Sequence, residues 1–318
     1  MRVYPINPLA SLALLHNMNR PLDRNDFPGG HVPQWAGEFQ PRQRQLAQVF
    51  DRYGISSLYR GAQIVLSNLG ILTGENASGS DMYNTNLVSS KQYHPLGTIA
   101  ISKDGRVFRY ASVGATDTVA GSIYQSAAPI ANHLANTPPA VAVGATSFVY
   151  TPGATAGAAN LYAEGTLMVD TTPGNGYTYR ISGHPAITAS VAFNLALDPD
   201  DAIVVALTAS SRVGLHHNPY KTVIVAATTV TAMAVGGAPA ILTGNAVAEN
   251  FGWLQSRGPF AGLINGTPGV GIGLVTSATT AGALDVAAVA AEINVRIIAR
   301  AMQVCVTAKN NSVFLLLD

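Results

Sequence analysis

The chain has 318 residues, a net charge of +1 and only 11% charged residues beside 48% hydrophobic ones. Soluble domains usually carry about 25% charged residues, so Ser, Thr, Asn, Gly and Ala must cover this surface, and much of it is expected to be buried against other chains. The near-neutral balance argues against a nucleic-acid coat. The apolar content argues against disorder, and no apolar run reaches the ~18 residues of a membrane helix.

At the start of the chain, Arg2 precedes an apolar run at 9–15, loosely like a signal peptide. Pro5 and Pro8 break the run's beginning and no small-x-small cleavage site follows. The expectation is an arm or short helix in a protein made inside the cell. Residues 1–94 hold half of all the arginines, and 21–41 hold four prolines and three glycines. That stretch reads as extended chain. Pro41 is placed to begin a helix, with Leu46, Val49, Phe50 and Tyr53 at helical spacing and Gly54 at its end. Residues 61–72 suit a strand or a short helix, and 74–86 a polar linker. The whole reads as an extended, partly helical N-terminal arm.

From residue 95 the texture becomes that of short strands. Runs at 98–102 and 106–112 flank Lys103-Asp104-Gly105, a hairpin signal because Asp-Gly accepts positive φ. Arg106 and Arg109 place cations on this hairpin. In the middle segment, 141–208, runs at 147–150, 165–170, 177–181, 191–197 and 203–207 read as five strands. We expect a β-rich domain over 95–220, with 141–208 as a possible insert, and a β-barrel-like domain over 221–318. Residues 285–300 mix a helical alanine pattern with strand alternation, and strand is preferred from Asn294 onward. Cys305, the only cysteine, lies in an apolar run and is expected to be a buried, inert thiol. The predicted class is mainly β: antiparallel sandwich or barrel domains carrying the N-terminal arm.

The most patterned stretch is 249–285. Apolar runs at 251–255, 260–264 and 270–275 are separated by Ser256-Arg257-Gly258-Pro259 and by Asn265-Gly266-Thr267-Pro268-Gly269. Asn-Gly between apolar runs is a strong hairpin signal, so a three-stranded meander is expected.

Chemistry-bearing patterns are sparse. His216-His217 cannot easily share one ion, since neighbours on a strand face opposite ways. His16, His31, His94, His133 and His184 show no ligand spacing and read as surface or loop residues. Gly269-Val270-Gly271-Ile272-Gly273 lacks the third spacing and the helix of a dinucleotide loop. Asp198-Pro199-Asp200-Asp201 has oxygen ligands for Ca²⁺ but reads first as a solvated turn. Glu164, Asp170 and Glu249 form no recognisable acid pair, and no Gly-x-Ser-x-Gly elbow occurs. Tyr177, Tyr179, Tyr220 and Trp253 suit cross-strand core pairs better than sugar stacking. No catalytic residue, metal or cofactor is expected.

The Phe-Gly-Trp-Leu-Gln opening at 251–255, Gly258-Pro259, Asn265-Gly266-Thr267-Pro268 and the Thr-Ser-Ala-Thr-Thr-Ala-Gly-Ala run at 276–283 resemble head decoration (cement) proteins of tailed bacteriophages. Residues 96–116 and 161–181 resemble other parts of such virion proteins. The resemblance covers roughly 95–318 and rests on turn and strand texture. It implies a β-rich subunit, often trimeric, on the outer surface of the capsid and bound to the major capsid protein, with no nucleic-acid or membrane partner. A receptor- or glycan-binding fibre protein is the alternative. Within the arm, Trp35, Phe39, Arg42, Arg44, Phe50, Arg52 and Tyr53 are the candidate contacts to capsid or neighbouring subunits, because Arg and aromatic residues dominate interface hot spots.

Overall fold

The computed structural model describes residues 85, 88–102, 104–244, 249–287 and 296–318, and the backbone of three short strands between 56 and 73. The chain divides into two compact units, 1–75 with 101–103, and 76–100 with 104–318. In the first unit, β1 (Ser56–Leu58), β2 (Gln63–Leu66) and β3 (Ile71–Thr73) form an antiparallel meander. The stretch expected to be strand or short helix at 61–72 therefore contains strand. The helix expected after Pro41 lies outside the described residues, as do the seven arm contact candidates.

The regular secondary structure of the second unit is almost all strand. Its described helical content is one 3-10 turn, Ala131–His133. A large sheet holds β4 (Ile99–Ile101), β5 (Val107–Val113), β6 (Ile123–Gln125), β12 (Ile224–Val225), β13 (Ala234–Gly237), β14 (Asn250–Ile264), β15 (Gly273–Thr276), β16 (Leu284–Val286), β17 (Ala299–Ala301) and β18 (Lys309–Leu316). A second sheet, ordered β11-β8-β9-β10-β7, holds β7 (Ser147–Tyr150), β8 (Thr166–Thr171), β9 (Thr178–Gly183), β10 (Phe193–Leu197) and β11 (Arg212–His216). The pairs in this second sheet are all antiparallel. In the large sheet β14 and β16 meet in parallel, at Ile264 and Leu284.

The second sheet is an insertion between β6 and β12. Strands β7 to β10 alternate, and Phe148, Tyr150, Leu167, Val169, Tyr179, Ile181, Leu195 and Leu197 point to one buried face. Val141, Tyr162, Ile187, Ile203 and Leu207 come from the connections and pack on that same face. One side of the sheet is thus covered by loops, and burial of its aromatic and aliphatic side chains drives the fold. The run expected as a fifth strand at 203–207 is one of those covering segments; it joins Val141 through a single bridge at Leu207. The fifth strand is instead β11, which carries Arg212, Gly214 and His216 and so lacks an apolar run.

The boundary expected at 220/221 falls inside one sheet, because β5 pairs with β14 and β6 with β12 and β13. The 249–285 stretch also departs from the expected meander. Residues 250–264 form one strand, β14, and Ser256-Arg257-Gly258-Pro259 is a kink within it. Its first half pairs with β5, setting Trp253 opposite Tyr110. Its second half pairs with β18, setting Phe260 opposite Val313. The register to β5 slips between Gln255 and Arg257, and Gly258 sits at φ +99°. Such a bulge bends a strand and lets it change partners. The buried Gln255 amide stabilises the kink by donating to the carbonyls of Arg257 (3.1 Å) and Pro259 (2.7 Å).

Aromatic packing fixes the first half of β14. Tyr110 lies edge-on to Trp253, ring centroids 5.0 Å apart, and His94 packs on both rings. A second cluster, with Phe260, Ile264, Leu274, Leu284, Val313 and Leu315, lies under the second half, and Cys305 is buried in it.

Candidate functional site

Among the described residues, exposed large aliphatic side chains occur in many parts of the body, and one group of them sits on paired chain segments. Val270 (65% exposed), Ile272, Ile297, Met302, Val304 (68%) and Val306 lie on two neighbouring chain segments. Those segments are joined by Gly271 N–H to the Ala301 carbonyl (2.8 Å), Ala301 N–H to Ile272 (3.0 Å) and Cys305 N–H to Pro268 (2.9 Å). β15 pairs with β17 on one side and with β16, which ends in the exposed Val286, on the other. These residues therefore form one strip. A groove of about 210 Å³ is lined by Gln125, Val230, Met233, Arg296, Ile298 and Leu317, among others, and by none of the strip's exposed aliphatic side chains. Scattered exposed aliphatics need no explanation, but a contiguous strip marks a place where another surface is buried.

The cations of the β5 region are already engaged. Arg109 donates to Asp318 from Nη2 (2.7 Å) and Nε (3.1 Å), donates to the Gly97 carbonyl and lies over the Tyr220 ring. Ser256 also donates to Asp318. Burial works against the Asp318 carboxylate; the Arg109 guanidinium and the Ser256 hydroxyl outweigh it and hold its carboxyl below the usual range. Arg106 folds back on Asp104 at 2.7 Å. This face is internally neutralised.

The histidines expected at the surface give the largest departure from the sequence reading. His133 and His184 are buried, and with His217 they surround Tyr162. The Tyr162 hydroxyl lies 2.6 Å from His133 Nδ1, and His133 Nε2 lies 2.8 Å from the Thr155 carbonyl. A carbonyl only accepts, so Nε2 carries the proton and Nδ1 accepts from Tyr162. His184 has the opposite tautomer: Nε2 accepts the Tyr162 backbone N–H (3.0 Å) and Nδ1 donates to the Pro185 carbonyl (2.7 Å). His217 stacks on the Tyr162 ring, centroids 4.6 Å apart and planes at 22°. Burial, then His133, Lys221 and His216, push His217 down to about 4. Burial also lowers His184 and pushes the neighbouring Tyr150 hydroxyl up to about 12. Burial thus disfavours the charged forms of His184 and His217. No sequence spacing signals this, because 133, 162, 184 and 217 converge only through the insert's topology.

The other candidates resolve into structure. Asp201 accepts the Arg180 N–H of β9 (2.5 Å) and Asp198 accepts the Asp200 N–H (3.2 Å), so the acidic turn is tied to β9 and caps part of its own backbone. Tyr179 is buried, while its stacked neighbour Tyr177 is exposed. Trp253 is core, and Glu164, Asp170 and Glu249 belong to different surroundings. Among the described residues no group of three or more His, Cys, Asp or Glu is arranged to hold a metal ion. No helix there is long and apolar enough to cross a membrane. The chain matches no protein-family profile, no curated protein and no solved structure.

Proposed function

We propose that this chain is a structural virion subunit, a decoration or cement protein that binds between major capsid protein subunits on the outer surface of a tailed-phage shell. The observation that carries this reading is the aliphatic strip over 270–273 and 297–306. It supports burial against a protein neighbour, and a surface so poor in charge, 11%, suits a subunit that spends its life in an assembly. The motif texture at 251–283 supports the same class. Binding a neighbour only in the folded state stabilises both partners by mass action.

The arm adds contacts in this reading. Trp35, Phe39, Arg42, Arg44, Phe50, Arg52 and Tyr53 anchor it to a neighbouring subunit, with the arginines pairing acidic groups of the capsid protein. The assembled form is a homotrimer. The second reading, a glycan-binding fibre head, draws on Tyr177, an exposed tyrosine stacked on the buried Tyr179 ring.

Capsid occupancy of an Ile272→Asp/Val304→Asp double variant tests the proposal. Both side chains are exposed, so the fold is expected to survive. Loss of decoration from shells stripped of the native protein is the expected outcome. Full occupancy by the variant would contradict it.

A further inference from the structure

A small group of hydrogen bonds forms a junction that fastens the insert to the body. Glu164 accepts the Leu96 N–H (2.7 Å) and the Gln92 side-chain N–H (2.5 Å) of the stretch that leads into β4. Asn218, just past the insert's last strand, donates to the Glu164 carbonyl (3.1 Å) and to the Leu96 carbonyl (3.4 Å). Gly165 allows this approach, since a side chain there would collide with the His216 carbonyl. Tyr162 is two residues before Glu164, and His217 immediately precedes Asn218. The imidazole cluster therefore sits directly behind the junction.

We propose that Tyr162, His133, His184 and His217 form an acid-sensitive latch, which holds the insert to the body at neutral pH and releases it when His184 and His217 take up protons. The geometry fixes why protons are disruptive. His184 Nε2 already accepts a backbone N–H at 3.0 Å, so a second proton there would set two donors against each other. His217 lies flat on Tyr162 within the same group, and a charge there loses its hydration. The charged and titratable groups facing the pair add no relief: His133, His216, Tyr162 and the buried Lys221 are neutral or cationic, and Lys221 is itself paired with Glu249 at 3.5 Å. The chemistry is that of a histidine-based pH sensor.

Hydrogen exchange of the full chain at about pH 7.5 and about pH 5, corrected for intrinsic rates, tests the latch. The opened insert binds protons with ordinary histidine affinity, so acidification is expected to speed exchange in 155–165, 183–190 and 212–220 by about tenfold or more. Exchange in β5, β14 and β18 is expected to stay unchanged. His217→Phe keeps the stacked ring and removes the titrating nitrogens; His184→Gln keeps an acceptor for Tyr162 and a donor for Pro185. The H184Q/H217F chain is expected to lose the acid response, and if that pair fails to fold, H217F alone is expected to reduce it. Wild-type insert protection equal at both pH values would overturn the proposal, as would an undiminished acid response in H217F. So would NMR titration of His184 and His217 near 6.5 with the insert intact.

Discussion

Gly237 shows how closely the body is packed at single residues. A Cβ built there would stand 2.5 Å from the Phe260 ring, and one on Gly236 2.7 Å from the Leu254 Cβ. Both glycines let β13 lie against the kinked β14. Gly237→Ala is expected to destabilise the protein by about 1–3 kcal/mol, the usual range for overpacking, measured by denaturant unfolding; an unchanged midpoint would show that Phe260 moves freely. The titrating side chains divide the acid response into two windows. His217 is held near 4 in the folded chain against about 6.5 unfolded, so the unfolded chain takes up the proton first as pH falls. Its contribution is complete above about 6.5 and is lost on the way down to about 4, by about 3 kcal/mol at most. Asp318 behaves differently: its lowered carboxyl contributes above the ordinary carboxylate value and is lost only as pH falls further, through its folded value. Stability measured against pH should therefore fall in two steps. His217→Phe should remove part of the upper step and Asp318→Asn part of the lower.

At the scale of elements, β14 organises the body because its two main ladders run to different strands, β5 before its kink and β18 after it. Gln255 takes the place of ladder hydrogen bonds at the bulge. Gln255→Leu should leave the Arg257 and Pro259 carbonyls without that donor and cost about 1–3 kcal/mol, again read from unfolding, whereas a surface change such as Thr178→Ser should cost almost nothing. This strand also shows what can be read from residues alone. The apolar runs at 251–255 and 260–264 were legible as strand, and four of the insert's five strands follow from runs of alternating apolar residues. Ser256-Arg257-Gly258-Pro259 looks like a turn because Gly-Pro usually breaks pairing, yet here one positive-φ glycine makes a bulge. Strand partners about fifty residues apart, as in β14–β18, or about 150 apart, as in β5–β14, leave no local trace, so neither the β5–β14 pairing nor the meeting of His133, Tyr162, His184 and His217 could be foreseen. β11 was hidden for another reason: Gly214 supplies no side chain between Val213 and Leu215, and Arg212 and His216 bound the run, leaving it too short to read. The aliphatic strip has only a faint trace, since exposed and buried valines look alike in sequence.

For the whole molecule, the low charge and the aliphatic strip have one consequence in solution and one in assembly. The free chain should associate, with a trimer as the expected species, because an exposed strip of Val270, Ile272, Ile297, Met302 and Val304 gains by burial. Sedimentation velocity across a dilution series checks this, and a monomer at every concentration, with none but monomer on the particle, would refute it. Removal of residues 1–60 should weaken attachment to shells if the arm anchors a neighbour; full occupancy by the truncated chain would confine attachment to the β body. The most direct measurement is the protein's copy number in purified virions, by quantitative mass spectrometry against the major capsid protein. A head decoration subunit predicts a count in fixed, high proportion to that protein. A count that is only a small fraction of it, as for a tail or fibre component, would contradict the account.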